Sequence, residues 1–168
     1  AAAERIREAF LASLEPDVIL VTSLFEGFSD DAVTSIRIFD KKTPVAVILY
    51  DLIPLLNPDK YLSNSAIKQY YLKKLEHLKK ADAWLALSVS SAKDGHNFLG
   101  LREDCLFNIS AACDERFRSL EISNKQKSDL FNKYKIIRPF LLCVPSGIDP
   151  RKNLERLVQA YSTLSDDM

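Results

Sequence analysis

The chain has 168 residues, 47% of them hydrophobic and 27% charged, with 23 basic against 23 acidic side chains and no formal net charge. This is the composition of a globular protein with one substantial core, or of one domain and a piece of another. Balanced charge gives no general attraction to nucleic acid, and no apolar run approaches the roughly 20 residues that span a bilayer.

The first residues, AAAERIREAF, do not resemble a secretory leader and lead directly into a helical pattern over Glu4 to Leu14. Asp17 to Thr22 (DVILVT) is a short, nearly all-apolar run that reads as a strand buried on both faces. Ser29 and Asp30 then offer N-caps for a helix over Asp31 to Phe39. Val45 to Tyr50 (VAVILY) is a second strand, followed by a loop to Leu62 that Pro54 and Pro58 stiffen. Ile67, Tyr71, Leu75 and Leu78 mark a longer helix, Ala83 to Ser88 (AWLALS) a third strand, and a shorter helix begins near Ser90. Asp104 to Ile109 (DCLFNI) is a fourth strand. Strands alternating with helices predict an α/β architecture with a doubly wound parallel sheet.

Asp114 to Lys135 is different in character, polar and carrying four lysines after Glu121, and reads either as a linker with a rim helix or as one exposed surface helix. The last stretch returns to the earlier pattern. Phe140 to Val144 reads as a buried strand, Asp149 as an N-cap and Pro150 as the first helical residue, with Leu154, Leu157, Val158, Tyr161 and Leu164 at helical spacing. Arg151 and Lys152 would then occupy the first turn, where the macrodipole disfavours each cation by about 0.3–1 kcal/mol. Two cations so placed invite a compensating anion, and backbone N–H groups beside the small Ser146-Gly147 pair suit a diphosphate.

Three cysteines, Cys105, Cys113 and Cys143, are an odd set without CxxC spacing; Cys105 and Cys143 sit in apolar runs and read as buried, reduced thiols of a cytoplasmic protein. His77 and His96 have no ligand-like companions, so no metal is expected. In parallel sheets ligands bind beyond the carboxyl ends of the strands. The loop after the first strand offers Glu26, Asp30 and Asp31 for hydroxyls of a polar ligand, with the Asp pair better read as caps. After the second, Tyr50 and Asp51 place an aromatic ring and a carboxylate at the crevice, suited to carbohydrate, with Asp51 as a cap of the local turn the alternative. Ser88, Ser90 and Ser91 read as N-caps, since neither a G-x-S-x-G elbow nor a paired histidine accompanies them. Lys68, Lys73, Lys74, Lys79 and Lys80 read as a solvated helix face, with peripheral contact to anionic lipid headgroups at the inner membrane face as the alternative. Asn108-Ile109-Ser110 fits a glycosylation acceptor pattern by chance at the end of a buried strand.

The segment SGIDPRKNLERLVQAY closely resembles the start of the nucleotide-sugar domain of family 4 (group 1) glycosyltransferases. PDVILVTSLFEGFSDD, ILYDLIPLLNPDKYL, YYLKKLEHLKKADAWLALSVSSAKD and FNISAACDERF resemble consecutive segments of the acceptor-side domain of the same family, nearest to bacterial mannosyltransferases that build surface polysaccharides such as lipopolysaccharide. The resemblance implies a GT-B fold of two facing Rossmann-like domains. Residues 1–137 would be a partial acceptor-side domain with linker, and 138–168 the first strand and helix of an incomplete donor-side domain. It implies a hexosyltransferase moving a sugar, mannose by this likeness, from a nucleotide-diphosphate donor to a saccharide or lipid-linked acceptor, with retention and without a metal or other cofactor. Gly147, Arg151 and Lys152 would hold the donor diphosphate, Lys152 matching the family's lysine, and Tyr50 and Asp51 would stand at the catalytic strand tip.

The departures are specific. Tyr50 stands where many members carry histidine, and Ala111-Ala112-Cys113-Asp114 where many read N-G-V-D. The family's glutamate pair and its glycine-bearing first strand-loop fall outside the sequence, so the chain reads as an internal fragment, inactive alone. Its terminal helix would pack on its own sheet or, by domain exchange, on a second molecule. The rival reading is a degenerate, non-catalytic glycosyltransferase module acting as scaffold or binding domain. An unrelated dinucleotide-binding Rossmann domain has less support, since no G-x-G-x-x-G occurs among the four glycines.

Overall fold

A computed structural model describes residues 2–144 and 152–164. The chain divides into two compact units, Ala1–Asp114 and Glu115–Met168, the boundary falling where the composition turns polar.

The first unit opens with helix α1, Ala2–Ser13, and holds four parallel strands: β1 (Ile19–Val21), β2 (Val45–Leu49), β3 (Ala83–Ala86) and β4 (Leu106–Asn108). Between β2 and β3 lie two single-turn helices, α2 (Ile53–Leu56) and α3 (Pro58–Tyr61), and the long α4 (Ser65–Leu78). Helix α5, Val89–Leu99, links β3 to β4. Asn64 caps α4, its side chain accepting from the amides of Ala66 and Ile67, and Ser88 caps α5 through the amide of Ser91. Gly100 ends α5 in the left-handed conformation.

The parallel α/β sheet expected from the sequence is therefore present. Its strand order is β1-β2-β3-β4, so every crossover steps the same way, and right-handed crossovers of that kind pass over one face. That face is sealed: Val45, Val47, Leu49, Trp84 and Ala86 are buried with Leu24, Leu52, Tyr71, Leu75 and Leu78. The alternate residues Ala46, Ile48, Ala83 and Leu85 are half-buried, and Leu20 and Phe107 on the two outer strands are exposed. The reversal of direction that defines a doubly wound sheet does not fall among the four described strands. Nor, among the described residues, does any strand pair with the outer edge of β1.

Several local expectations change. Asp31–Phe39 is not a helix but a loop whose backbone groups are taken by other elements. The carboxylate of Glu8 on α1 accepts from the amides of Ile38 (2.8 Å) and Phe39 (2.6 Å) and from Ser35 Oγ (2.6 Å). His77 Nδ1 meets the amide of Ile36 at 3.1 Å, and Lys74 Nζ the carbonyl of Thr34 at 2.7 Å, both from α4. A segment whose amides are bonded across the fold has no need of i→i−4 bonds. Cys105 is half-buried in a turn before β4, and Cys113 and Cys143 are exposed, so the expected burial of Cys143 is not observed; all three are free thiols.

The second unit contains α6, Asn124–Tyr134, and α7, Leu154–Ser162. Ser123 and Gln126 close a reciprocal capping box on α6. Phe140–Val144 forms no strand; among the described residues no strand lies alongside it, and Leu142 and Val144 are largely exposed. An apolar run becomes a strand only with a ladder partner. Helix α7 begins at Leu154 with Asn153 as N-cap, so Lys152 precedes the helix rather than sitting in its first turn. Asp149 and Pro150, the expected cap and first helical residue, lie outside the described residues. Among the described residues no helix is long and apolar enough to cross a membrane.

Candidate active site

Because the strands are parallel, their carboxyl ends share one edge of the sheet, and the polar residues singled out in the first unit gather there. The loop after β1 carries Glu26, the tip of β2 carries Tyr50 and Asp51, and the end of β3 leads through Ser88 into α5. Strands β1 and β2 are direct neighbours, Val21 pairing with Val47, so the Glu26 loop and the Tyr50–Asp51 tip leave adjacent strand ends.

The strand tip combines a fixed main chain with an exposed side chain. Leu49 and Leu52 are 1% and 0% exposed and bracket the dipeptide, whereas Tyr50 is 53% exposed. Asp51 Oδ1 accepts from the amide of Ile53 at 3.0 Å, a local turn that starts α2. Asp51 itself is exposed, so the carboxylate combines this turn with a position at the surface of the rim.

Glu26 is exposed, and its Oε1 accepts from Ser23 Oγ at 2.9 Å. Its backbone is held from below. Tyr70 on α4 donates its hydroxyl to the carbonyl of Glu26, and Thr34 Oγ1 donates to the carbonyl of Leu24, two residues earlier in the same loop, at 2.6 Å. Gly27 has a φ of +96°, and a Cβ there would lie 2.1 Å from the carbonyl oxygen of Ala32, so only glycine fits this turn. Phe28 leans on Tyr70 with ring centroids 5.3 Å apart, and Phe25 stacks on Tyr71 at 5.1 Å. Asp30 accepts from the amide of Ala32 at 2.8 Å, the capping-type role its sequence suggested.

The supports beneath this rim are titratable and electrostatically perturbed. Burial, with the nearby Asp30 and Glu26 charges, raises the Tyr70 hydroxyl above its ordinary range. Burial pushes Tyr71 up to about 12. Burial lowers the Lys74 ammonium, which lies 5.1 Å from the centroid of the Tyr70 ring. Tyr70 and Tyr71 fall within an ordinary amphipathic helix pattern and are not singled out for a site by the sequence, while Lys74, read there as part of a solvated lysine face, is instead 4% exposed and turned onto the Thr34 carbonyl. Their targets lie some 40 residues earlier: Lys74 to Thr34 spans 40 positions and Tyr70 to Glu26 spans 44.

A hollow of about 370 Å³ opens at the opposite, amino-terminal edge of the sheet, between Lys79, Asp82, Trp84, Gly100 and Arg102. The C-terminal ends of α4 and α5 adjoin it. It lies away from the strand tips.

In the second unit Lys152 is exposed beside the start of α7. Gly147 and Arg151 lie outside the described residues.

No family model matches the chain, and no solved structure matches it. Among curated proteins it is 35% identical over 167 residues to the serotype-specific mannosyltransferase WbdA of Escherichia coli, covering 99% of this chain and 20% of that protein. A further E. coli protein of the same name is 34% identical over 167 residues. The chain spans about a fifth of the length of the curated relatives it matches. The resemblance to bacterial mannosyltransferases read from the sequence is thus borne out along almost the whole chain.

Proposed function

We propose that this chain, a glycosyltransferase segment homologous to bacterial mannosyltransferases, supplies the acceptor-side rim and the start of the donor-side domain of a retaining hexosyltransferase. The complete enzyme would move a sugar, mannose first among the candidates, from a nucleotide diphosphate to a saccharide or lipid-linked acceptor in surface polysaccharide synthesis. The observation that carries this reading is the reach of the likeness. At 99% of the chain it includes both strand-tip loops and the DPRKN segment.

The chemistry follows from the residue types. At the tip of β2 the exposed Tyr50 ring offers an apolar face to a pyranose, and Asp51 a carboxylate to its hydroxyls. Glu26 offers a second acceptor for hydroxyl groups on the adjacent strand end. In the second unit Arg151 and Lys152 place positive charge for a departing diphosphate, whose negative charge grows as the glycosidic bond to the donor breaks. In this reading cationic side chains stabilise the leaving group without a metal.

A scaffold role is the second reading, and one observation favours it: Asp51 Oδ1 and Glu26 Oε1 are both already engaged by neighbours in the chain. Transfer assays on the full-length protein with a panel of nucleotide sugars separate the two. The enzymatic reading expects turnover with one donor and a loss of roughly 10²-fold or more in kcat/KM for Lys152→Ala. Donor binding without transfer would establish the scaffold, and absence of both would remove the glycosyltransferase assignment.

A further inference from the structure

Helix α5 buries only two residues, Ser91 and Gly95, one turn apart and therefore on one face. Both are directed at the end of β2. A Cβ on Gly95 would lie 2.9 Å from Leu49 Cδ2 and 3.0 Å from Leu101 Cδ1, so the missing side chain is what lets the helix approach the strand so closely. One turn earlier, Ser91 Oγ donates to the carbonyl oxygen of Tyr50 at 2.5 Å, across 41 residues of sequence. The same Oγ lies 3.0 Å from Ser88 Oγ. A hydroxyl has one proton, and that of Ser91 is committed to Tyr50, so Ser88 donates to Ser91 while accepting from the Ser91 amide at 3.0 Å. The hydroxyls form a directed chain from Ser88 through Ser91 to the Tyr50 carbonyl, and each bond in such a chain polarises the next.

A helical serine ordinarily satisfies itself on the carbonyl one turn back in its own helix or on solvent. Ser91 does neither. Its bond grips the peptide group that joins Tyr50 to Asp51, the two residues placed at the catalytic strand tip. The next residues are anchored as well, Asp51 Oδ1 accepting from the Ile53 amide and Leu52 being fully buried, while Tyr50 remains exposed.

We propose that Ser91 is a positioning residue for sugar transfer: by fixing the Tyr50 carbonyl it sets the directions in which the Tyr50 ring and the Asp51 carboxylate meet the acceptor. The inference rests on the reading of the β2 tip as part of the transfer site. A displacement of about 1 Å at such a site can cost on the order of 10²-fold in rate.

The test is steady-state transfer by the full-length enzyme carrying Ser91→Ala, Ser91→Thr or Asp51→Asn, with donor binding and melting temperature measured on each. The expected result for Ser91→Ala is a kcat roughly 10- to 100-fold lower, with donor binding essentially unchanged. Ser91→Thr, which keeps the Oγ donor, should recover most of the rate. A kcat within about twofold of wild type in Ser91→Ala, while Asp51→Asn loses transfer, overturns the positioning role and leaves the strand-tip reading standing. Equal losses in Ser91→Ala and Ser91→Thr, tracking a fallen melting temperature, also overturn it by assigning Ser91 to packing. Full activity in Asp51→Asn removes the strand-tip reading itself, and the positioning role with it.

Discussion

Arg37 Nη2 lies 2.6 Å from both carboxylate oxygens of Asp82, a residue 45 positions further along the chain. Asp82 Oδ2 also accepts from the amide of Val45 at 2.8 Å. One carboxylate therefore ties the long β1–β2 crossover to the first residue of β2 and to the residue just before β3. Arg37 adopts a φ of 58° to reach it, an uncommon conformation for a side chain of that size.

Asp82→Asn should weaken this junction without emptying it, since the amide oxygen can still accept from Val45. The two side chains are 26% and 46% exposed, so the expected loss is about 1 kcal/mol, read by urea denaturation at pH 7. The pH dependence has a definite sign. Burial pushes the Asp82 carboxyl up, but hydrogen bonds from Arg37 and Val45 outweigh it, and the net shift is downward from 3.8. A depressed folded-state pKa contributes stability that is complete above 3.8 and disappears as pH falls through the lower folded value. The difference between wild type and Asp82→Asn should accordingly shrink below that pH; a difference that persists in acid would contradict the assignment.

His77 provides a second, opposite-charge case. It is 2% exposed, with Nδ1 facing the main chain of Ile36. Burial lowers its pKa from 6.5, the Ile36 backbone only partly opposing. The folded state then binds protons less readily than the unfolded chain, so stability is complete above 6.5 and declines as pH falls below it. The limiting slope for one proton is about 1.4 kcal/mol per pH unit. Urea titrations from pH 5 to 8 should show this slope in wild type and its flattening in His77→Gln. An identical slope in the variant would transfer the effect to another group.

Gly27→Ala should be costly for its size. The added methyl would meet the Ala32 carbonyl at 2.1 Å in a left-handed turn, and a side chain in such a conformation costs on the order of 1–3 kcal/mol. Chemical denaturation of this variant against Gly100→Ala, where nothing lies within 4 Å of the added atom, isolates the clash from the conformational term. Equal losses at the two glycines would argue that the Ala32 contact is unimportant.

The strands of the first unit were legible because each is a compact apolar run, and the shared carboxyl edge followed from their parallel pairing. The misreading of Asp31–Phe39 has a physical origin. Its caps and apolar spacing favour a helix locally, but Glu8, Lys74 and His77 claim its backbone from α1 and α4. Nothing in the local sequence announces those partners. Phe140–Val144 misled for the converse reason, since apolar content fits a strand without specifying a neighbour to pair with. At the rim, Tyr50, Asp51 and Glu26 could be named from strand-end position alone. Ser91 could be read only as a capping serine, because its acceptor is a main-chain carbonyl, which carries no residue-specific signature.

Among the described residues no strand covers the outer margin of β1. Leu20 on this strand is 51% exposed, and a strand edge without a ladder partner beside an exposed apolar side chain is a template for pairing with another extended peptide. Leu20→Lys should therefore lower concentration-dependent association in light scattering, a charged edge side chain opposing lateral pairing; equal association in both proteins would clear this border of that role.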